Sequence, residues 1–236
     1  MIAVRIGITE EEKRILEDAA RAAGAREVFL LESPMAAAIG AGLPVSESKG
    51  CMIVEIGASM TSAAVISFAE IVHSKTLRVG GDAMNNAIME YMRTKHNLVI
   101  GEQEAENIKV KIGIAYKPRA ELEYDAQGLD AVDGRQLAVT VNSKEIREEA
   151  LAGVLGQIEG ALKELLQLVE PELAADLVDN GIVLTGGGAL LRGLDKRLAS
   201  ATGLPVRVAD DPAHATIEGV GVVLNELDYL SKVKKS

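Results

Sequence analysis

The stretch Ile182-Val183-Leu184-Thr185-Gly186-Gly187-Gly188-Ala189-Leu190-Leu191-Arg192-Gly193-Leu194 decides how the rest of the chain is read. Its first four residues are apolar or β-branched, and three glycines follow, which predicts a buried strand that turns sharply. A helix is expected over Leu190 to Thr202, then a strand Val206 to Ala209 and a last helix from about Ala213, so the segment reads as a β-turn-α-β unit. Bare backbone N–H groups beside a helix start make a cradle for an anion such as phosphate, and glycine lets a ligand approach the backbone. A tight turn with no ligand fits the same residues. The motif is not a Walker A loop, which needs Gly-Lys-Ser/Thr, and it lacks the spaced glycines of dinucleotide folds.

Upstream, a second turn of small residues follows an apolar strand, in Glu55-Ile56-Gly57-Ala58-Ser59-Met60-Thr61. Here Glu55 offers a carboxylate for a metal-bound water, and Ser59 and Thr61 offer hydroxyls; a plain hairpin turn explains the segment as well. The turn lies in a predicted meander of three strands, Cys51 to Ile56, Thr61 to Phe68 and Ile71 to Val79. Two amphipathic helices follow, Asp82 to His96 and Glu102 to Tyr116, the first carrying Met84, Ile88, Tyr91 and Met92 on one face. On the second, Glu106 and Lys109 stand three apart on one face, a spacing that serves a site and an ordinary surface ion pair alike. Strands Arg119 to Ala126 and Leu137 to Asn142 are expected around a loop, Gln127 to Gly134. A long helix from Ser143 to about Val169 then stops at Pro171, and a short one spans Glu172 to Val178.

At the front, Thr9 with Glu12 forms a capping box, and Ile15, Leu16, Ala19, Ala20 and Ala23 recur at helical spacing, predicting a helix with an inward face that stops at Gly24. After a short strand, Val28 to Leu31, Ser33 reads as a cap and Pro34 as a first-turn proline for a helix Met35 to Ala41. That helix is nearly all Ala and Gly, so another backbone can come close to it. The run Lys232 to Lys235 reads as a frayed end.

Composition narrows the function classes. The chain has 236 residues, 48% hydrophobic and 25% charged, which excludes global disorder and coiled coil and lies between one large domain and two small ones. A net charge of −10 repels phosphate backbones, and 3% aromatic content with no Trp removes the stacking platforms of single-strand binders, so nucleic acid is not an expected partner. Cys51 stands alone, which excludes an intramolecular disulfide and reads as a small buried hydrophobe. His73, His96 and His214 are too dispersed to share a metal. No run approaches the roughly 18 apolar residues of a membrane span and no signal peptide is evident, so the expected location is cytoplasmic.

Several motifs, in order, make a resemblance specific: Leu31 to Pro44, Val54 to Ser67, Arg78-Val79-Gly80-Gly81-Asp82, Gly101 to Gly113, and Leu184 to Leu194. Together they resemble the MreB family, the bacterial actin-like rod shape-determining proteins, over essentially the whole chain. The resemblance implies an α/β, actin-like ATPase (ribonuclease H-like) fold with ATP and Mg²⁺ between two domains. It implies that Gly57, Ala58, Ser59 and Met60 form the second phosphate turn, that Glu106, Asn107, Ile108 and Lys109 face the nucleoside, and that Gly186, Gly187, Gly188 and Ala189 contact the adenosine and phosphate region. Glu55 is the residue implied to touch the metal, through water. Residues 1–49 are expected to be a remnant of the first actin-like domain, 50–81 and 143–215 the core of the second, 82–142 an inserted subdomain, and 216–236 a helix returning to the first domain. The implied role is ATP-linked filament formation in cell-shape maintenance, with further copies, a full-length MreB and the cell-wall elongation machinery as partners.

Departures from the family pattern fall where chemistry would occur. The family's Glu-Glu-Pro is Glu32-Ser33-Pro34 here, so Ser33 replaces the carboxylate that orients the attacking water. Its Asp-Ile-Gly-Gly-Gly-Thr-Thr is Glu55 to Thr61, with Met60 in place of a hydroxyl near the γ-phosphate. Loss of a positioned base costs roughly 10²–10⁴ in rate, so no intact catalytic residue and impaired hydrolysis are expected. The chain also opens part-way into the family pattern, without the first phosphate turn or the membrane-inserting elements, so direct membrane contact is not expected. Two other function classes are consistent with these residues: a non-catalytic accessory protein that binds a full-length MreB, and, less well supported, an actin-fold small-molecule kinase.

Overall fold

A computed structural model describes residues 1–225; the basic run Lys232 to Lys235 and the final residues assigned above to the last helix lie outside the described residues. Strand β1 (Ile2–Val4), helix α1 (Glu10–Ala22), strand β2 (Leu30–Glu32) and helix α2 (Ser33–Gly40) open the chain. The meander β3 (Cys51–Ile56), β4 (Thr61–Ser67) and β5 (Glu70–Leu77) follows, then α3 (Gly81–His96), β6 (Leu98–Val99), α4 (Glu102–Ile112), β7 (Glu123–Asp130) and β8 (Gln136–Asn142). Next, α5 (Ser143–Glu145) passes through a π-helical turn, Ile146–Ala150, into α6 (Ala152–Leu166) and α7 (Pro171–Asn180). The last elements are β9 (Ile182–Thr185), a 3-10 turn Gly187–Leu190, α8 (Leu194–Thr202), β10 (Val206–Val208) and α9 (Ala215–Asn225).

The central sheet has the order β10-β9-β3-β4-β5, in which β3, β9 and β10 run parallel and the meander is antiparallel. Both faces are covered, so the strands read as continuous apolar runs whose alternate residues serve different cores. Met52, Val54, Ile56, Ala63, Val65, Ile182 and Leu184 enter the larger core beneath α3, α4, α6 and α8. Cys51, Ile53, Ala64, Ile66 and Val183 enter a second core with α2 and α9. Cys51 is wholly buried there, which pushes its thiol up to about 11. Two small sheets flank this body: β1 pairs parallel with β2, and β6, β7 and β8 form an antiparallel three-stranded sheet.

The Ala- and Gly-rich α2 admits a second backbone as its composition predicts, and that backbone is α9. A Cβ on Gly40 would stand 1.8 Å from the Ala215 carbonyl oxygen, and one on Gly219 would stand 1.8 Å from that of Ala36. The two helices therefore cross in contact at paired glycines. The capping box also forms: the Glu12 N–H donates to Thr9 Oγ1 at 3.2 Å, and the Thr9 N–H donates to Glu12 Oε2 at 2.9 Å.

Several expectations need correction. Helix α1 has no buried residue and Ile15 is 60% exposed, so the inward face that its periodicity predicts is not buried among the described residues. Ser33 is the first helical residue, not the cap, and its hydroxyl serves another partner. The first half of the expected loop Gln127 to Gly134 is strand, since β7 runs to Asp130 and pairs Leu129 with Gln136. Helix α4 stops at Ile112: Gly113 turns to extended backbone, and a Cβ there would stand 2.1 Å from the Lys109 carbonyl oxygen. The long helix from Ser143 is interrupted by the π turn, whose 2.8 Å bond runs from the Leu151 N–H to the Ile146 carbonyl. Within that turn Arg147 is buried against Glu121 at 3.2 Å and Glu148 at 3.0 Å. Finally, the helix after the triple glycine begins at Leu194 rather than Leu190, because Gly193 adopts φ 72° and separates it from the 3-10 turn.

Candidate functional site

In β3 and β9, neighbouring parallel strands, Glu55 lies opposite Thr185, so the turns that leave their carboxyl ends emerge side by side. Ligands of open α/β sheets bind outside such strand ends. A cavity of about 430 Å³ opens there, walled by Gly57 and Ala58 from the first turn, Gly187 and Gly188 from the second, and Gly81, Asp82, Glu106 and Lys109 from α3 and α4. Met84, Val110, Leu190 and Leu191 add apolar lining, and Arg192 with Gly113 completes it. Three segments remote in sequence thus meet on one cleft.

Glycines hold the walls together. The Gly81 N–H donates to the Gly57 carbonyl at 3.0 Å and the Asp82 N–H to the Ala58 carbonyl at 2.8 Å, clamping the first turn onto the start of α3. A Cβ on Gly80 would lie 2.4 Å from the Gly57 oxygen. Gly186, at φ 78°, presses on β3, where a Cβ would meet the Ile56 carbonyl oxygen at 2.3 Å, and Gly188 presses on the Ile56 side chain at the same distance. Gly187, the middle glycine, faces open space.

The polar groups sit opposite these turns. Lys109 Nζ lies 2.7 Å from Glu106 Oε2 and donates to the Gly81 carbonyl at 3.2 Å; Asn85 Nδ2 donates to the same Glu106 oxygen at 2.8 Å. Partial burial alone would raise the Glu106 carboxyl, but the hydrogen bonds from Lys109 and Asn85, with the lysine charge, outweigh it and hold the group below the usual carboxylate range. The pair is therefore a fixed feature of the cleft wall and not the loose surface contact that its spacing allows.

The remaining residues singled out in the sequence fall around the cavity rather than on it. Ser59 Oγ donates to Asp82 Oδ2 at 3.0 Å, and Met60 contributes its carbonyl, which accepts the Gly57 N–H at 2.8 Å. Asn107 turns to Glu104 at 3.1 Å, and Ile108, on the opposite side of α4, is wholly buried in the core. The Gly186 N–H donates to the Pro212 carbonyl at 2.6 Å, and Ala189 is buried under its turn. Glu55 has both oxygens engaged, by Ser33 Oγ at 2.6 Å and Thr216 Oγ1 at 2.6 Å. Among the described residues no group of three or more His, Cys, Asp or Glu could hold a metal ion. Sequence reasoning from the residues missed Asn85, which carries no motif, and gave no role to Arg192, Gly81 or Asp82, although these lie inside the glycine-rich and Gly-Gly-Asp stretches.

A family model described as "MreB/Mbl protein" matches residues 1–232. The cell shape-determining protein MreB of Escherichia coli (strain K12) is 46% identical over 228 residues, 97% of this chain and 65% of that protein. The cell shape-determining protein Mbl of Bacillus subtilis (strain 168) is 40% identical over 236 residues, 100% of this chain and 71% of that protein. The chain thus spans about two-thirds of the length of the curated relatives it matches. Among solved structures, MreB 5 of Spiroplasma citri bound to AMPPNP superposes with a TM-score of 0.93 at 34% identity, covering 98% of this chain and 69% of that one. A MamK double helical filament gives a TM-score of 0.77 at 19% identity, over 95% of this chain and 68% of that one, a likeness of fold alone.

Proposed function

This chain belongs to the MreB/Mbl family and has its actin-like fold, and from that premise we propose that it is a filament-forming cell-shape protein whose cleft holds an adenine nucleotide. One observation carries the reading: Gly57 and Ala58, Glu106 and Lys109, and Gly187 and Gly188 converge on a single cavity from three separate segments. Close-packed glycine backbone on two sides suits phosphate, and an anchored carboxylate with an ammonium group suits the polar edge of a nucleoside. A relative in the family is solved with AMPPNP, which supports the same ligand here.

Mg²⁺ fits the cleft only as a passenger of the nucleotide. That ion keeps several waters and uses one or two protein carboxylates beside phosphate oxygens, and Asp82 is the carboxylate at the glycine-lined wall. Bound there, the ion would neutralise phosphate charge. Glu55 is a poorer candidate, since both of its oxygens already accept hydroxyl hydrogen bonds.

Hydrolysis is proposed to be weak. Ser33 is occupied as a donor to Glu55, and Met60 presents a carbonyl to its own turn, so neither residue is a base for water. The residue ranges 1–49, 50–81 with 143–215, 82–142 and 216–236 are kept as the proposed division into first-domain remnant, second-domain core, insertion and returning helix. Among the described residues no helix is long and apolar enough to cross a membrane. A cytoplasmic filament, working with the cell-wall elongation machinery, is the proposed setting.

Calorimetric titration with ADP and with AMPPNP, followed by pelleting with and without nucleotide, tests the reading. Saturable binding and nucleotide-dependent self-assembly are expected; absence of both refutes it. A second reading is favoured by one observation, the unburied face of α1 beside the two-stranded sheet. In that reading the chain is an accessory protein, pelleting only with a full-length MreB.

A further inference from the structure

Asn85 belongs to no motif, is 4% exposed on α3, and points its amide nitrogen at Glu106 across the gap between α3 and α4. Its Oδ1 is buried with no hydrogen-bond partner among the described residues, an arrangement that costs stability. Flipping the amide would satisfy nothing, because it would set an oxygen lone pair against a carboxylate. The orientation is therefore fixed by Glu106, and Asn85 is held there at the expense of its other polar atom.

The consequence lies in how Glu106 is presented. Asn85 at 2.8 Å and Lys109 at 2.7 Å both bind Oε2, and neither of these contacts uses Oε1. A carboxylate pinned by one oxygen offers the other as an acceptor in a set direction. Lys109 alone cannot set that direction, because an ammonium on a four-carbon stem is a point charge; the buried amide adds the second constraint. We propose that Asn85 is a positioning residue that aims Glu106 into the cleft for a neutral hydrogen-bond donor on the ligand. For the ligand this rests on the nucleotide reading above. For the aim of Glu106 it does not.

The amide is also the right group electrostatically. Asp82 on α3 lines the same cavity and binds Ser59, Arg192 lines its opposite rim, and Lys109 neutralises Glu106; Tyr124 on β7 faces Glu104 instead. A carboxylate at position 85 would place two like charges at hydrogen-bond distance, where one must take up a proton.

Two arms separate this proposal from the nucleotide reading. In the ligand-free protein, a carbon-13 titration of the Glu106 carboxyl should show its midpoint raised in Asn85→Leu; an unchanged midpoint overturns the positioning role, whether or not nucleotide binds. Calorimetry then follows ADP. Asn85→Leu is expected to weaken ADP by about tenfold, and the double variant with Glu106→Gln by no more than Glu106→Gln alone, since the first acts through the second. Additive losses would mean a merely structural role and overturn the proposal. Should the leucine variant fail to fold, Asn85→Asp serves: its ADP affinity relative to the parent at the same pH should be lower at about pH 8 than at about pH 6, and a ratio unchanged between the two overturns the proposal. A parent protein that binds no ADP refutes the nucleotide reading and the ligand half of the proposal, and the carboxyl titration then decides the rest.

Discussion

Replacing Gly40 by alanine tests whether the α2–α9 crossing is as tight as its geometry says. The new Cβ would stand 1.8 Å from the Ala215 carbonyl oxygen and 2.7 Å from the Gly219 nitrogen, against a lower limit of 3.0 Å for such contacts. Neither obstacle is a side chain that can rotate away, so α9 must retreat by about 1.2 Å or both helices must bend. A gap of that size forfeits roughly a quarter to a half of the dispersion attraction between facing atoms. The atoms in question belong to Ala36, Ala37, Val220 and Val223, all buried in the second core. Overpacking costs about 1–3 kcal/mol and lies at the upper end where backbone meets backbone. Alanine recovers about 1 kcal/mol of helix propensity, leaving a net loss of about 2 kcal/mol. For a chain of this size that lowers the melting temperature by about 4–8 °C. Gly156→Ala is the matched control: it lies in the interior of α6, exposed, with open space where its Cβ would go, so the same substitution should stabilise by up to about 1 kcal/mol. Urea denaturation of the three proteins, compared at constant m, measures both. A Gly40→Ala protein as stable as its parent would refute the crossing described here.

Gly186→Ala combines a positive φ with a Cβ placed 2.3 Å from the Ile56 carbonyl oxygen, so ADP binding by calorimetry should be lost, whereas Gly187→Ala, whose Cβ meets no protein atom, should melt as the parent does. Lys109→Ala removes the ammonium that ties Glu106 to the Gly81 carbonyl and should weaken ADP by about tenfold. The Thr9 backbone, with the Arg5 and Thr9 side chains, holds the Glu12 carboxyl at about 2, below its ordinary 4.5. A depressed carboxyl stabilises the fold above its unfolded value and ceases to do so as pH falls through the folded one, so protection of α1 amides from hydrogen exchange should decline between pH 4.5 and about 2. Unchanged protection across that window would contradict the capping box.

Much of this fold was legible because its signals are local. Each strand of the meander, the triple-glycine strand and the capping box rest on residues within one element, and all of them form. Gly40 and the alanines of α2 announced a close backbone neighbour but not which one, since α9 lies far along the chain. The misreadings have a common cause in tertiary context. Ile15 looks like a core residue by periodicity, yet burial depends on a layer that periodicity cannot supply. Ser33 looks like a cap because serine before proline usually is one, yet its hydroxyl is drawn to Glu55, which no local rule connects to it. In the cleft, glycines were visible as glycines. The Asn85 amide was invisible, because neither asparagine of the Asn85-Asn86 pair in that amphipathic helix carries a pattern until a second helix brings a carboxylate to Asn85.

The three consecutive glycines are chemically unequal, and that inequality offers a handle. Two of them exist to let their turn lie against Ile56, and a side chain on either would pry the strands apart. The middle one is exposed on the cavity wall with unstrained backbone, so it tolerates cysteine. The native thiol, Cys51, is wholly buried and shifted up to about 11, and would stay silent towards a maleimide at neutral pH. A fluorophore attached through Gly187→Cys would therefore report from one defined point on the mouth of the cleft, turning a packing detail into a reporter of occupancy that needs no labelled ligand.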